Sequence, residues 1–555
     1  MTITKLIICS ALTLCAQQAL AQSLGEVHGN FQTDFQYYNK DSLIGAPVVP
    51  EKFRNNTFSN IIYNKGNFAA GVRFESYLNE LLGFDPRYRG AGIPFKYASY
   101  KIDNLDITVG NFYEQYGSGL IFRSYEERAL GYDNAMEGVK VKYKAANGVY
   151  LKGFAGKQRL FFAQGPGIVR GADGEINVNE LVSAFADKKL KVILGGSFVS
   201  KYQKDEDPVY KLPENVGAWA ARMNIIRGKI NVFAEYAYKI NDPSKLNNFT
   251  YKYGQGLLVQ AGYSQKGLGV SVSGKYVDNM AFRSDRTATG NILLINYMPA
   301  LTKQHTYNLL STLYPYASQP TGEIDLQTEV IYTIKKGSRL GGEYGTNLQL
   351  NFSSANGLDT TTTTDGLGYT VNTSKLGIAY FRDANIEISR KINKKLKLIG
   401  TYANLLYNTD FVQGVKGKEK VLAHVAIVEM NYKINSINAI KTELQTLFTK
   451  EDKGNWVTAF VEYTVSPHYF FAVQDQYNIV KYSAFNAKYI EREHGGTIEK
   501  IYRLHYPYVS IGYLKNTSRI AINYGKQRAG ITCIGGVCRA VPASNGFSVT
   551  ITTTF

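Results

Sequence analysis

The closing residues, Asn545 to Phe555, put Phe547, Val549, Ile551 and Phe555 on one face of a strand and Ser548, Thr550, Thr552 and Thr554 on the other. This alternation suits the wall of a transmembrane barrel, where every second side chain meets lipid and the rest meet a polar lumen. The strand stops at a terminal aromatic, as outer-membrane β-barrels usually do, so Phe555 is read as an export and assembly signal.

The same period recurs along the chain. Phe68, Ala70, Val72 and Phe74 alternate with Ala69, Gly71, Arg73 and Glu75; Val139, Val141 and Tyr143 alternate with Lys140, Lys142 and Lys144; Ile440, Thr442, Leu444, Thr446 and Phe448 interleave with Lys441, Glu443 and Gln445. A single strand of this kind also fits the solvated edge of a soluble sheet, but its repetition favours a barrel. Aromatic usage points the same way, with 42 Tyr and 28 Phe against 2 Trp. No run approaches the ~18 apolar residues of a membrane-spanning helix. The mean hydropathy of -0.22 is compatible with a barrel, whose strands need be apolar only at alternate positions.

Residues 1–21 read as a signal peptide: a charge at Lys5, an apolar stretch from Leu6 to Leu14, and Ala19-Leu-Ala21 as the cleavage site before Gln22. Cys15 follows Leu14, where lipid attachment wants a small residue, so ordinary cleavage is expected. Residues 22–555 carry no linker, low-complexity tract or like-charge run and read as a single outer-membrane β-barrel domain with no room for a plug domain.

Eleven short polar reversals punctuate it: Asn64-Lys-Gly-Asn67, Asp103-Asn104, Ala146-Asn-Gly148, Asp187-Lys-Lys189, Arg227-Gly-Lys229, Gln265-Lys-Gly267, Lys335-Lys-Gly337, Asn393-Lys-Lys395, Asn435-Ser-Ile-Asn438, Ser466-Pro467 and Lys515-Asn-Thr517. Tyr63, Tyr143, Tyr263, Tyr332, Tyr432, Tyr463 and Tyr513 stand just before seven of them, as an aromatic girdle at a lipid–water boundary would. With both termini at the same end, eleven periplasmic turns imply an all-β, antiparallel up-and-down transmembrane barrel of about 24 strands (range ~20 to 26), with short periplasmic turns and long extracellular loops. An inward-running last strand puts residues 529–544 outside the cell. There Cys533 and Cys538 suit a local disulfide with two glycines turning the chain between them, in preference to free thiols or a metal.

Two loops are dense in chemistry. Residues 110–134 gather Tyr113, Gln115, Arg123, Glu126, Glu127, Arg128 and Asp133, which fit either a constriction loop with a transverse field or a salt-bridged brace for the wall. Residues 278–323 are too long for a simple connection. Arg283, Arg286, Lys303, His305 and Tyr307 there are candidate contacts for a sugar or other polar ligand, or packing residues.

Gly110–Asn134, the Pro299-Ala-Leu-Thr-Lys-Gln-His305 and Leu313-Tyr-Pro-Tyr316 cores, and Gly83-Phe-Asp-Pro-Arg-Tyr88 together resemble an uncharacterised family of outer-membrane barrels from Bacteroidota, through nearly the whole mature chain. The resemblance implies fold and location and assigns no chemistry.

The six histidines, His28, His305, His424, His468, His494 and His505, show no metal-ligand spacing, and no Gly-x-Ser-x-Gly elbow is present, so neither an enzyme nor a cofactor or metal is expected. A formal charge of +18 is spread over turns and lumen positions without a basic block, so nucleic acid is not an expected partner. Outer-membrane lipid and, during insertion, the barrel assembly machinery are. The function read from this is a porin-like channel for hydrophilic solutes, with a non-conducting scaffold for a surface lipoprotein or an outer-membrane assembly or secretion complex as the alternative.

Overall fold

In the computed structural model the described residues are 25–414, 417, 420–479 and 504–555. The signal peptide expected over residues 1–21 lies outside them, as does His494. Within them, 24 strands form one antiparallel sheet in which sequence neighbours pair, from Glu26–Tyr38 to Ser544–Thr554. Pairing of those two strands closes the barrel. Phe555 makes the last rung: the Gly29 N–H donates to its carbonyl at 2.8 Å, and its own N–H donates to the Gly29 carbonyl at 3.0 Å. Closure leaves no sheet edge unpaired, which a strand wall in lipid requires.

The period of two sorts the wall as the sequence implies. Phe68, Val72, Phe74, Val139, Tyr143, Leu444, Phe448 and Phe547 face outward and exposed. Arg73, Glu75, Lys142, Lys441 and Glu443 face inward, where they form ion pairs. On the last strand the Thr550 hydroxyl donates across the seam to Asp34 at 2.7 Å. Among the described residues no helix is long and apolar enough to cross a membrane, which says nothing against crossing by strands.

All eleven expected reversals lie at one end, together with both strand termini of the seam. Two are not tight. Asp187-Lys-Lys189 ends a connection that first forms the helix Val178–Leu181 and a 3-10 turn, Ser183–Phe185, and Lys335-Lys-Gly337 opens a connection running to residue 345. Conversely, one connection at the loop end is only Phe161-Phe162, because these rings pack against Tyr77 and Tyr88 and turn the chain at once.

The other connections at the loop end are longer, and among the described residues three turn into the barrel. Residues 113–135, 279–321 and 528–543 bury their own apolar side chains, among them Leu120, Ile121, Phe122, Met280, Leu309, Leu310, Leu313 and Tyr314. The first two segments share a cluster with inward wall residues Val199, Val216, Ala218, Ala237, Leu258 and Val277. Residues 300–317 share a second cluster with Ala403, Leu405, Val421, Ala423, Val425, Ile427 and Leu447. The upper lumen wall is therefore apolar over these strands, contrary to the expectation of a polar lumen throughout. Polar and charged residues line the half nearer the turns.

Candidate functional site: the plugged lumen

The inward loops meet the wall through buried ion pairs. Arg73 and Glu75 project inward from Phe68–Leu78 because they lie in antiphase to Phe74. Arg73 pairs with Glu75 at 2.7 Å, with Glu126 at 2.9 Å and with Asp133, while Arg159 pairs with Glu75 and Asp133, each at 2.6 Å. Arg128 closes the set on Glu126 at 2.8 Å and lies 4.7 Å over the Phe58 ring. Three arginines thus face three carboxylates, and the set is neutral. Glu75, Glu126 and Asp133 approach one another closely enough for a cation, but the guanidiniums fill that role.

Each candidate constriction residue now has a place. Tyr113 accepts from Arg73 at 3.2 Å and stacks on Phe95. Gln115 donates to the Gly117 carbonyl at 2.8 Å and borders open space. Arg123 sits in the corner between the nearly perpendicular rings of Tyr125 and Tyr297, 4.2 and 4.1 Å from their centroids. Glu127 accepts from Ala129 N–H at 3.3 Å at the head of a 3-10 turn. Glu126 and Asp133, paired as above, brace the loop against the wall, Arg123 and Glu127 engage loop residues, and these charges do not oppose one another across an opening.

Two further contacts, both missed from sequence, seat this loop deeper. Glu114 lies 2.8 Å from Lys142 and 3.4 Å from Lys152, with Lys140 at 3.9 Å. Burial pushes its carboxyl up, but the Lys142 hydrogen bond and the charges of Lys152 and Lys142 outweigh this and hold it below the usual range. The lysine row legible in Lys140, Lys142 and Lys144 is therefore partly an acceptor site for a loop carboxylate. The Ser118 N–H donates to buried Glu235 at 2.6 Å. Gly117, at φ 53°, makes that approach: a Cβ there would lie 2.4 Å from a Glu235 oxygen. Beneath this turn a cavity of about 470 Å³ opens among Gln115, Ser118, Lys152, Glu175, Arg222 and Gln260.

The candidate ligand contacts of the long loop are also engaged. Arg283 is buried and donates to the carbonyls of Ala288 and Gly290; with no carboxylate paired to it, burial outweighs the charge of nearby Asp285 and pulls its pKa down to about 10. Arg286 donates to the carbonyls of Gln203, at 3.2 Å, and Pro213, and lies 3.7 Å from Asp242. Lys303 reaches Asn385 at 3.2 Å and Glu387 at 4.0 Å. His305 meets Asp383 at 2.7 Å, and the Tyr307 hydroxyl donates to Glu429 at 3.1 Å. Glu387 and Glu429 stand near the turn ends of their strands, so this loop descends well into the barrel. These five side chains fasten the loop and offer no free polar face to a ligand.

The third segment locks the other two. The strands Gly530–Ile534 and Val537–Val541 form a hairpin whose two-residue turn, Gly535-Gly536, has φ 58° and 88°. Cys533 and Cys538 are disulfide-bonded across it, with Cα atoms 4.1 Å apart. The Cys538 carbonyl accepts from Asn291 at 2.8 Å and the Gly536 carbonyl from Ser318 N–H at 3.1 Å, while Val537 packs with Leu130 and Tyr132. At its base, buried Arg528 donates to Gln476 and Asn308 at 2.8 and 2.9 Å and sits 5.3 Å over Trp456; without a carboxylate partner, its pKa falls to about 10 on burial.

Among solved structures, the chain is similar to the translocation pore of the P pilus usher PapC, at 8% identity and a TM-score of 0.44, covering 95% of this chain and 99% of that one. It is also similar to the outer membrane protein OpdK of Pseudomonas aeruginosa, at 10% identity and a TM-score of 0.35, covering 76% and 98%. For a mutant of the ferric enterobactin receptor PfeA from the same species the values are 10% and 0.42, covering 96% and 81%. No curated protein matches the sequence. The family comparison covers residues 1–555, and the chain belongs to DUF6029, a family of unknown function.

Proposed function

We propose that this protein is an outer-membrane barrel whose own loops close its lumen, and that it serves as a partner barrel for a surface lipoprotein or a subunit of an assembly or secretion complex. One observation carries the reading. Inward wall residues Val421, Ala423, Val425 and Ile427 pack in one cluster with Leu309, Leu310, Leu313 and Tyr314. A wall that lined a permanent aqueous conduit would hold polar side chains at those positions, as porin lumens do. An apolar wall covered by apolar loop residues is instead a packed interior, stabilised by removing both surfaces from water.

Of the two functions read from the sequence, the packed lumen favours the scaffold over the freely permeable channel. The channel reading keeps one supporting feature, the cavity beneath the plug that Lys152, Glu175 and Arg222 border together with Ile193 and Phe233, which would become a passage if the loops above it withdrew. Gentle detergent extraction at native expression, with mass spectrometry of whatever accompanies the barrel in fixed stoichiometry, tests the proposal. Recovery of the barrel alone would overturn the partner role.

A further inference from the structure

The outward face should be uncharged where it meets acyl chains, because a lysine or arginine on the lipid face of a barrel is strongly destabilising at the bilayer midplane and nearly neutral at the interfaces. Near the turns it conforms. Ala98, Tyr100 and Ile102; Val139, Val141 and Tyr143; Leu151, Gly153 and Ala155; and Ala172, Gly174 and Ile176 face outward on four strands without a charge.

Higher on the same strands this changes. Val169 is buried inward, so Arg170 points out and is exposed. Phe154 and Gln158 are buried inward, so Lys157 points out as well. Arg170 is opposite Ala155 and Lys157 is opposite Ile168, which makes the two cations diagonal neighbours roughly 7–8 Å apart. Lys157 is also opposite Glu137, Glu137 is opposite Asn111, and the Asn111 side chain accepts from the backbone of Lys96, a third outward cation. Among the described residues, the side chains of Lys96, Lys157 and Arg170 make no ion pair or hydrogen bond.

Counted from the turn at Val149, Ala155 and Lys157 stand six and eight residues up the strand. At ~3.3 Å per residue and a tilt near 40° this is roughly 15–20 Å above the turns, towards the far edge of an apolar band about 25 Å tall. The cations thus stand in the outer half of that band, above an uncharged field, with flexible stems that can extend towards the polar boundary.

We propose that Lys157 and Arg170, with Lys96 beside them, bind the phosphate of a phosphorylated glycolipid in the outer leaflet. Three outward cations, Lys96, Lys157 and Arg170, against the one carboxylate of Glu137 opposite Lys157 leave a net charge of +2 facing lipid, which suits a phosphate and its acceptor oxygens. The inference rests on the barrel standing in an outer membrane with its turns in the periplasm. Labelling of a cysteine placed in the exposed Thr363–Gly368 loop on intact cells checks this separately, so a wrong orientation and a missing lipid site give different results.

The experiment compares retention of diphosphoryl lipid A, enzymatically dephosphorylated lipid A and phosphatidylglycerol by the purified full chain, read by native mass spectrometry. The variants are Lys157→Gln/Arg170→Gln and, as a lone outward cation on the far wall, Arg382→Gln. Strand content and the heat-dependent gel shift verify folding. The expected result is preferential retention of the diphosphoryl lipid, falling about fivefold for each cation removed at the pair and little for Arg382→Gln. Equal retention of the dephosphorylated lipid, equal losses in both variants, or preference for phosphatidylglycerol would each overturn it.

Discussion

The loop at residues 113–135 is held to the wall by a neutral buried network, and removing one charge from it should free that loop while leaving the barrel folded. Asp133 is the most telling site, because both Arg73 and Arg159 bind it and the three side chains are only 3–6% exposed. Asp133→Asn leaves three guanidiniums against Glu75 and Glu126, an uncompensated positive charge out of water. Losing one partner of such a pair costs about 3–5 kcal/mol. The carboxamide oxygen of the variant can keep the hydrogen bond that Asp133 accepts from Ala135 N–H, so the loss is of charge and not of the turn. Since the strands pair independently of this loop, the cost falls on docking, and the open loop becomes on the order of a hundred to several thousand times more populated. Hydrogen exchange followed by mass spectrometry should show peptides from residues 113–135 exchanging faster by that factor, with the wall strands unchanged. Glu127→Gln is the control: Glu127 only caps Ala129, so the change should be under ~1 kcal/mol. Unchanged protection of residues 113–135 in Asp133→Asn would refute the brace, and so would uniform loss across the whole barrel.

Other consequences can be checked with the same readout. Because the Glu114 carboxyl is held below its ordinary value of 4.5, its contribution to docking is complete above that pH and is withdrawn as the pH falls through the lowered value; loop exchange should accelerate only in that acid range, and Glu114→Gln should abolish the dependence. Gly117→Ala puts a Cβ against Glu235 at a positive φ, costing at least ~1–2 kcal/mol from the backbone alone, and should loosen the turn over the cavity. The double change Cys533→Ser/Cys538→Ser removes a short cross-link worth roughly 2 kcal/mol and should deprotect residues 528–543 together with the loop segments around Asn291 and Ser318 that the hairpin holds.

The wall was legible because its physics is local. A period of two, polar reversals and outward tyrosines each report on one strand or hairpin, and together they give the number of strands that the barrel has. The plug was not legible in the same way. Whether Asp133 faces water or a wall arginine depends on Arg73 and Arg159, and whether Arg123 faces water or a ring depends on Tyr297, all distant in sequence and brought close only by barrel closure. Yet a signal was present. In Lys420–Lys433, Val421, Ala423, Val425 and Ile427 alternate with Leu422, His424, Ala426 and Val428, so the strand is apolar on one face and, but for His424, on the other. In a barrel one of those faces is the lumen, and an apolar lumen face has to be covered. Val216, Ala218 and Ala220 opposite Trp219 carry the same message.

The buried cations teach a related lesson. Arg283 and Lys303 look like ligand contacts in a loop assumed to be exposed, and become anchors once that loop turns inward. Composition cannot distinguish these states, because an anchor and a binding residue use the same donors.

The central claim, that the lumen is closed by its own loops, is tested most directly by single-channel recording of the purified barrel in a planar bilayer. Wild-type protein is predicted to be electrically silent near neutral pH, with Asp133→Asn/Glu114→Gln showing intermittent openings. A steady open conductance from the wild type would contradict the account.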